Sequence, residues 1–128
     1  MTAQQAYFTN LKLALEAGGL AVYDDRLPPE PPAFPIVYLS DTLVDPMLVK
    51  AQEAGYITQT VEVWGQASRR GLVSDTIEQV LDIAKTVTDD IYAFSLQSDS
   101  EFQITADNST RTPLMQGSLT LRVFYNRR

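Results

Sequence analysis

Tyr56-Ile57-Thr58-Gln59-Thr60-Val61-Glu62-Val63-Trp64-Gly65-Gln66 is the stretch on which the fold turns. Ile57, Val61 and Val63 alternate with Tyr56, Thr58, Thr60, Glu62 and Trp64. Side chains of a strand point to opposite faces with period two, so the first set shares one face and the second set the other. Enrichment in Thr and Val suits an antiparallel strand with one face on a core and one turned outward.

Downstream, Gly65, Arg69, Arg70 and Gly71 mark a loop. Ile77, Val80, Leu81, Ala84, Val87 and Ile91 then form a stripe of helical period, with Glu78, Gln79, Asp82, Lys85, Asp89 and Asp90 outside it. Ser74 or Asp75 is the expected cap, with Glu78 in reach of a capping box. Strands are expected at 101–107 and 114–126, joined through 108–113. In the last, Leu119, Leu121, Val123 and Tyr125 oppose Ser118, Thr120, Arg122, Phe124 and Asn126.

Upstream, residues 3–17 read as a helix with Ala3, Tyr7, Leu11 and Ala14 on one face and Gly18-Gly19 as its stop. A short strand at 20–23 follows. Residues 36–44 read as a strand with Ile36 and Tyr38 on one side and Val37, Leu39 and Leu43 on the other, ending in a loop from Asp45-Pro46 to Gly55. The order helix, strands, helix, strands gives an α+β fold: a single domain over 1–128, with two helices packed on one face of a mainly antiparallel sheet.

Between the first two strands, Pro28, Pro29, Pro31, Pro32 and Pro35 are five of the seven prolines. Proline fixes φ and lacks an amide donor, so this is a stiff extended connector. Its Arg26-Leu27-Pro28-Pro29-Glu30-Pro31-Pro32 formally fits the Arg-x-x-Pro-x-x-Pro pattern of SH3 ligands, but a rigid crossover lying on its own domain is the expected reading.

The 128 residues are 45% hydrophobic and 20% charged, enough apolar material for a real core. Cysteine and histidine are both absent, which removes thiolate metal sites, thiol nucleophiles and every Ser-His or Cys-His arrangement. A net charge of −6 is a poor match to bare nucleic acid. No apolar run approaches the roughly 20 residues of a membrane span. Met1-Thr2-Ala3-Gln4-Gln5 lacks the positive region of a secretory signal, so retention in a cytoplasm is the expectation.

Candidate chemistry is thin. Asp24-Asp25, Asp89-Asp90, Asp41 with Asp45, and Asp99 with Glu101 are acid pairs to weigh for a cation or acid–base role. Neighbouring residues on a helix point about 100° apart, so Asp89 and Asp90 do not face one another and read as solvation. Glycine spacing matches no phosphate loop, and Lys12, Lys50 and Lys85 sit in no Ser-x-x-Lys motif. Neither catalysis nor a cofactor is expected.

Charge is uneven: residues 1–64 carry eight acids and three bases, residues 65–128 eight acids and seven bases. No acid follows Asp107, whereas Arg111, Arg122, Arg127 and Arg128 do. Opposite patches on one small domain suit head-to-tail self-association. Tyr56, Trp64, Phe124 and Tyr38 on otherwise polar strand faces are suited to anchoring an interface. Trp64 fits a core position as well.

Taken together, the first helix, Phe34-Pro35-Ile36-Val37-Tyr38-Leu39, Thr58-Gln59-Thr60-Val61-Glu62-Val63-Trp64, Ile77-Glu78-Gln79-Val80-Leu81-Asp82-Ile83-Ala84 and Gly117-Ser118-Leu119-Thr120-Leu121-Arg122-Val123-Phe124-Tyr125 resemble the tail-completion (tail-terminator, head–tail joining) proteins of long-tailed bacteriophages and prophages. The resemblance spans nearly the whole chain. It implies a structural virion protein, made in the host bacterial cytoplasm, that closes the tail tube as a ring, commonly a hexamer. Such a ring meets the major tail-tube protein on one side and the head-completion or connector protein on the other, and double-stranded DNA passes through its lumen without sequence-specific binding. The family brings no catalytic residue, and no membrane is involved. The expected interface residues are Tyr56, Glu62 and Trp64 on the strand, Lys50, Arg69 and Arg70 in the loops 45–55 and 65–73, and Arg122, Arg127 and Arg128. A different phage head–tail adaptor, a tail-assembly chaperone, or a small enzyme or ligand-binding domain with a concave pocket of ionisable groups are the rival readings.

Overall fold

A computed structural model of the protein describes residues 1–25, 33–49, 52–109 and 113–128. The proline run from Pro28 to Pro32, Arg26, Lys50 and Arg111 fall outside the described residues, so the structure does not bear on the connector or on Lys50.

Helix α1 (Ala3–Ala17) begins where Thr2 caps it: the Thr2 hydroxyl accepts from the Gln5 amide at 3.3 Å and the Gln5 side chain accepts from the Thr2 amide at 2.8 Å. That reciprocal pair satisfies two amides the first turn leaves open. Strands β1 (Val22–Tyr23), β2 (Ile36–Val49) and β3 (Gln52–Gln66) follow. A one-turn 3-10 segment, Ala67–Arg69, leads into helix α2 (Arg70–Ala84), and strands β4 (Tyr92–Leu96), β5 (Glu101–Asp107) and β6 (Leu114–Arg127) complete the fold. All six strands form one sheet in the order β1-β2-β3-β6-β4, with β5 also on β6. Only β1 with β2 is parallel. The fold is α+β, as expected.

Strands β3 and β6 form the centre, paired without a break from Ala54↔Asn126 to Gln66↔Leu114. One face is buried at every second position: Ile57, Val61 and Val63 on β3, and Leu119, Leu121 and Val123 on β6. Tyr7, Leu11 and Leu15 of α1 and Val73, Ile77 and Val80 of α2 close over them. Two glycines let α2 settle close to the sheet. A Cβ on Gly65 would lie 2.5 Å from Val73 Cγ2, and one on Gly117 would collide with Ile77 Cδ1. Val73 and Ile77, one helical turn apart, thus drop into notches cut by missing side chains.

The structure departs from sequence expectation in four places. First, residues 45–49 and 52–55 are not a loop. They continue β2 and β3 as a hairpin paired out to Val49↔Gln52. Pro46, which suggested a break, sits opposite Gly55 well past the short β1 contact at Val37 and Tyr38, where the other side of β2 is a sheet edge, and an edge tolerates a residue without an amide donor.

Second, Leu43 does not share a face with Val37 and Leu39. A register shift between Leu39 and Thr42 inserts one extra residue in β2, so Thr42 pairs with Gln59 and Leu43 with Thr58. A bulge reverses the alternation beyond it. Gln59, fully buried, serves this bulge by accepting from the Thr42 hydroxyl at 2.5 Å and donating to the Thr60 carbonyl at 3.0 Å.

Third, α2 starts at Arg70, four residues before the expected Ser74 cap, and stops at Ala84. Arg69 and Arg70 therefore belong to the 3-10 turn and the first helical turn, not to a loop. Val87 and Ile91 continue the helical spacing by coincidence and lie beyond the helix end. Fourth, Tyr92–Leu96 is a strand, paired with β6 from Tyr92↔Arg127 to Leu96↔Val123.

Candidate interaction surface

The face of the sheet opposite the helices is covered by no helix among the described residues. Period-two alternation delivers Tyr56, Thr58, Thr60, Glu62 and Trp64 from β3 and Gln116, Ser118, Thr120, Arg122 and Phe124 from β6 to this face, all half-buried. Trp64 is thereby placed on the outward face rather than in the core cluster.

Two groups of side chains organise it. In the first, Tyr56 and Phe124 are cross-strand partners whose rings meet edge-to-face at 5.3 Å. The Arg122 guanidinium lies 4.2 Å from the Tyr56 ring centre, and its Nε is 3.3 Å from the Asp99 carboxylate. The guanidinium is held flat between a ring face and a carboxylate, an arrangement that fixes a long side chain and leaves its remaining N–H groups available. In the second, Glu62 accepts from Trp64 Nε1 at 3.2 Å and from Gln116 Nε2 at 2.9 Å. This orients the indole against the strand and keeps an ionised acceptor on the surface. Tyr38, across from Glu62 on β2, donates its hydroxyl to the Asp25 carbonyl.

Four of the expected residues, Tyr56, Glu62, Trp64 and Arg122, therefore share one surface. The other expected residues that the structure describes do not join them. Arg127 lies 3.5 Å from Glu53 and Arg128 Nε donates to the Asp89 carbonyl at 3.1 Å, both at the hairpin end of the sheet. Arg69 and Arg70 are exposed at the opposite end. There Arg69 borders a pocket of about 250 Å³ lined with Phe34, Pro35, Leu72 and Val73. The acid-poor tail of the sequence is consequently not a separate basic patch, because β6 lies between β3 and the strands β4 and β5, and its arginines are paired with acids from elsewhere.

Sequence reasoning missed two contributors. Asp99 holds Arg122 from 23 positions away in sequence, a pairing that needs the hairpin geometry. Leu43, Val44, Met47 and Leu48 are exposed on β2, and the bulge that reverses the faces of the strand, which moves Leu43 outward, is a feature of the strand pairing that the sequence does not announce. No cluster of three or more His, Cys, Asp or Glu residues able to hold a metal occurs among the described residues. No described helix is long and apolar enough to cross a membrane.

Comparison with known proteins yields a likeness in structure only. No family model matches the chain, and no curated protein matches it. A chain in the solved structure described as the virion of a native gene transfer agent particle aligns over 97% of this chain and 94% of its own, with a TM-score of 0.64 at 21% identity. A second solved chain aligns over 100% of this one and 97% of its own, at 14% identity and a TM-score of 0.47, too low to support an argument. At such identities what is shared with the gene transfer agent chain is the fold.

Proposed function

We propose that this chain is a structural virion protein of a long-tailed phage or prophage, a single-domain subunit that caps the tail tube as a ring and joins it to the head connector. The observation that carries the reading is the end-to-end likeness, 97% of this chain against 94% of the other, to a chain of a gene transfer agent virion. The uncovered sheet face supports it: aromatic anchors ringed by fixed polar groups are the composition of a protein–protein interface.

In this reading copies assemble as a hexamer through strand faces and edges. The major tail-tube protein and the head-completion protein dock on the two rims, where Arg69 and Arg70 stand at one end of the sheet and Arg127 and Arg128 at the other. Double-stranded DNA threads the lumen, and a subunit charge of −6 lets it pass without sticking. No reaction is assigned, and location is the tail or neck of the virion.

Co-sedimentation with purified tail tubes is the test, accompanied by light scattering across concentration. Binding at the tube end in fixed stoichiometry is expected, and replacing Tyr56 and Trp64 together by alanine abolishes assembly while the circular dichroism spectrum is retained. A chain that neither self-associates nor sediments with tubes refutes the proposal. Cryo-microscopy of particles locating it on the connector instead would make it a head-completion protein; presence during assembly but absence from finished particles would make it a chaperone.

A further inference from the structure

Two features at opposite ends of the sheet lack partners within the described chain. At the hairpin end, the outer edge of β2 has β1 beside it only at Val37 and Tyr38. Beyond the bulge this edge carries Leu43 at 66% exposure, Leu48 at 99%, and the exposed Val44 and Met47 between them. A free edge strand with apolar side chains on both faces is an aggregation site unless something covers it. Between Ile36 and Val49 the only charged side chains are Asp41 and Asp45, both exposed and neither ion-paired with a described residue.

At the other end is the pocket of about 250 Å³, with Phe34, Pro35, Leu72 and Val73 as its apolar wall and Arg69 on its rim. Among the described residues, Lys12, Lys85, Arg122 and Arg127 are ion-paired with Asp24, Asp82, Asp99 and Glu53, and Arg128 is bonded to the Asp89 carbonyl. Arg69 and Arg70 are the described bases with no such partner.

The geometry points to a second copy of this chain as the cover: the exposed β2 edge of one copy, from Leu43 to Leu48, seats in the Phe34–Leu72 pocket of the next, with Asp41 and Asp45 facing Arg69 and Arg70. This deepens, and rests on, the reading of the chain as a self-assembling virion subunit. The two halves are complementary in kind, protruding apolar and acidic against concave apolar and basic. The exposed outer half of β2 and the pocket lie apart in one molecule: Leu48 pairs with Glu53, and the pocket begins at Gly65, 12 residues further along β3, roughly 40 Å at the rise of a strand. A contact between two different patches is heterologous, so each copy keeps one of each free for the next, and the series closes into a ring when the rotation permits.

The absence of cysteine makes the test clean. A Leu48→Cys/Leu72→Cys double variant carries only the two introduced thiols, both at exposed positions, Leu72 being 37% exposed. Treated with a short bis-maleimide under associating conditions, it is expected to give a ladder of dimers, trimers and higher species, whereas each single variant yields at most dimers. In parallel, Arg69→Glu/Arg70→Glu is expected to raise the midpoint of association by about tenfold or more, with recovery when Asp41→Arg/Asp45→Arg is added to the same chain. Oligomers by light scattering without a ladder would overturn this contact and leave the assembly reading standing. A monomer at every concentration that also ignores tail tubes would overturn both.

Discussion

Replacing Asp89 by alanine removes a clamp where the chain leaves α2 and enters β4. One carboxylate oxygen, Oδ2, accepts from the Ile91 amide at 2.9 Å and the Tyr92 amide at 3.1 Å, while Oδ1 accepts from the Asn10 side chain at 3.2 Å. Partial burial pushes the carboxyl upward, but the two amides, Asn10 and the Arg128 charge together outweigh it and hold Asp89 below its ordinary range. Hydrogen bonds to an ionised group contribute about 1.5–3 kcal/mol when shielded, and water competes at this surface site, so Asp89→Ala should cost about 1–2 kcal/mol at neutral pH. That corresponds to roughly 4–8 °C in Tm for a chain of this size.

The pH dependence has a definite sign. A depressed folded-state value means the contribution is fully present above the unfolded carboxylate value near 4 and is lost as pH falls through the folded one. Urea unfolding of both proteins, followed by circular dichroism, should give the full gap at about pH 7 and a gap that closes near pH 2. Asp89→Asn should fall between, since it keeps one acceptor but turns an amide toward donors. Equal stability at neutral pH, or a gap that does not shrink in acid, would refute the reasoning.

Gly55→Ala should destabilise by about 1–3 kcal/mol in the same assay, because its Cβ would stand 2.7 Å from the Asp45 carbonyl and 2.8 Å from the Tyr125 hydroxyl. Burial raises the Tyr7 phenol well above its ordinary value, and its hydroxyl donates to the Ala84 carbonyl at 3.3 Å. Stability should therefore be complete below about pH 10 and fall above it, with Tyr7 ionising only as the protein unfolds in an ultraviolet titration; a Tyr7→Phe chain should lose that part of the alkaline slope. Leu48→Asp, at a site 99% exposed, should change unfolding free energy by less than about 0.5 kcal/mol while lowering light scattering of concentrated solutions.

Strands β3 and β6 were legible because each buries one face, and burial of one face writes itself into the sequence as strict alternation: Ile57, Val61 and Val63 against Thr58, Thr60 and Glu62. The same alternation put Tyr56, Glu62 and Trp64 on the outward face of β3, whereas Arg122, grouped by sequence with the C-terminal arginines, joins them only through the β3–β6 pairing. What failed did so for local reasons. Pro46 signals a break only where its strand is paired on both sides, and β2 meets β1 only at Val37 and Tyr38. The Ser74–Glu78 spacing imitates a capping box, yet the 3-10 turn supplies the start of α2 and the residues before Ser74 simply continue the helix. Val87 and Ile91 keep helical spacing from Ala84, so Tyr92–Leu96, five residues long, was hidden in the shadow of a helix that had already ended. Long-range pairs such as Arg122 with Asp99 have no local signature at all.

The position of β6 carries a consequence for how the molecule comes into being. It follows every other strand in sequence yet is the one that β3, β4 and β5 all lean on. During synthesis the earlier segments emerge with their keystone still unmade, and non-local pairing of this kind is slow because loop closure must precede its reward. The outward surface, half of which β6 provides, does not exist until that strand has been laid down. A nascent chain thus has no finished outward face to present to any partner until β6 has been made.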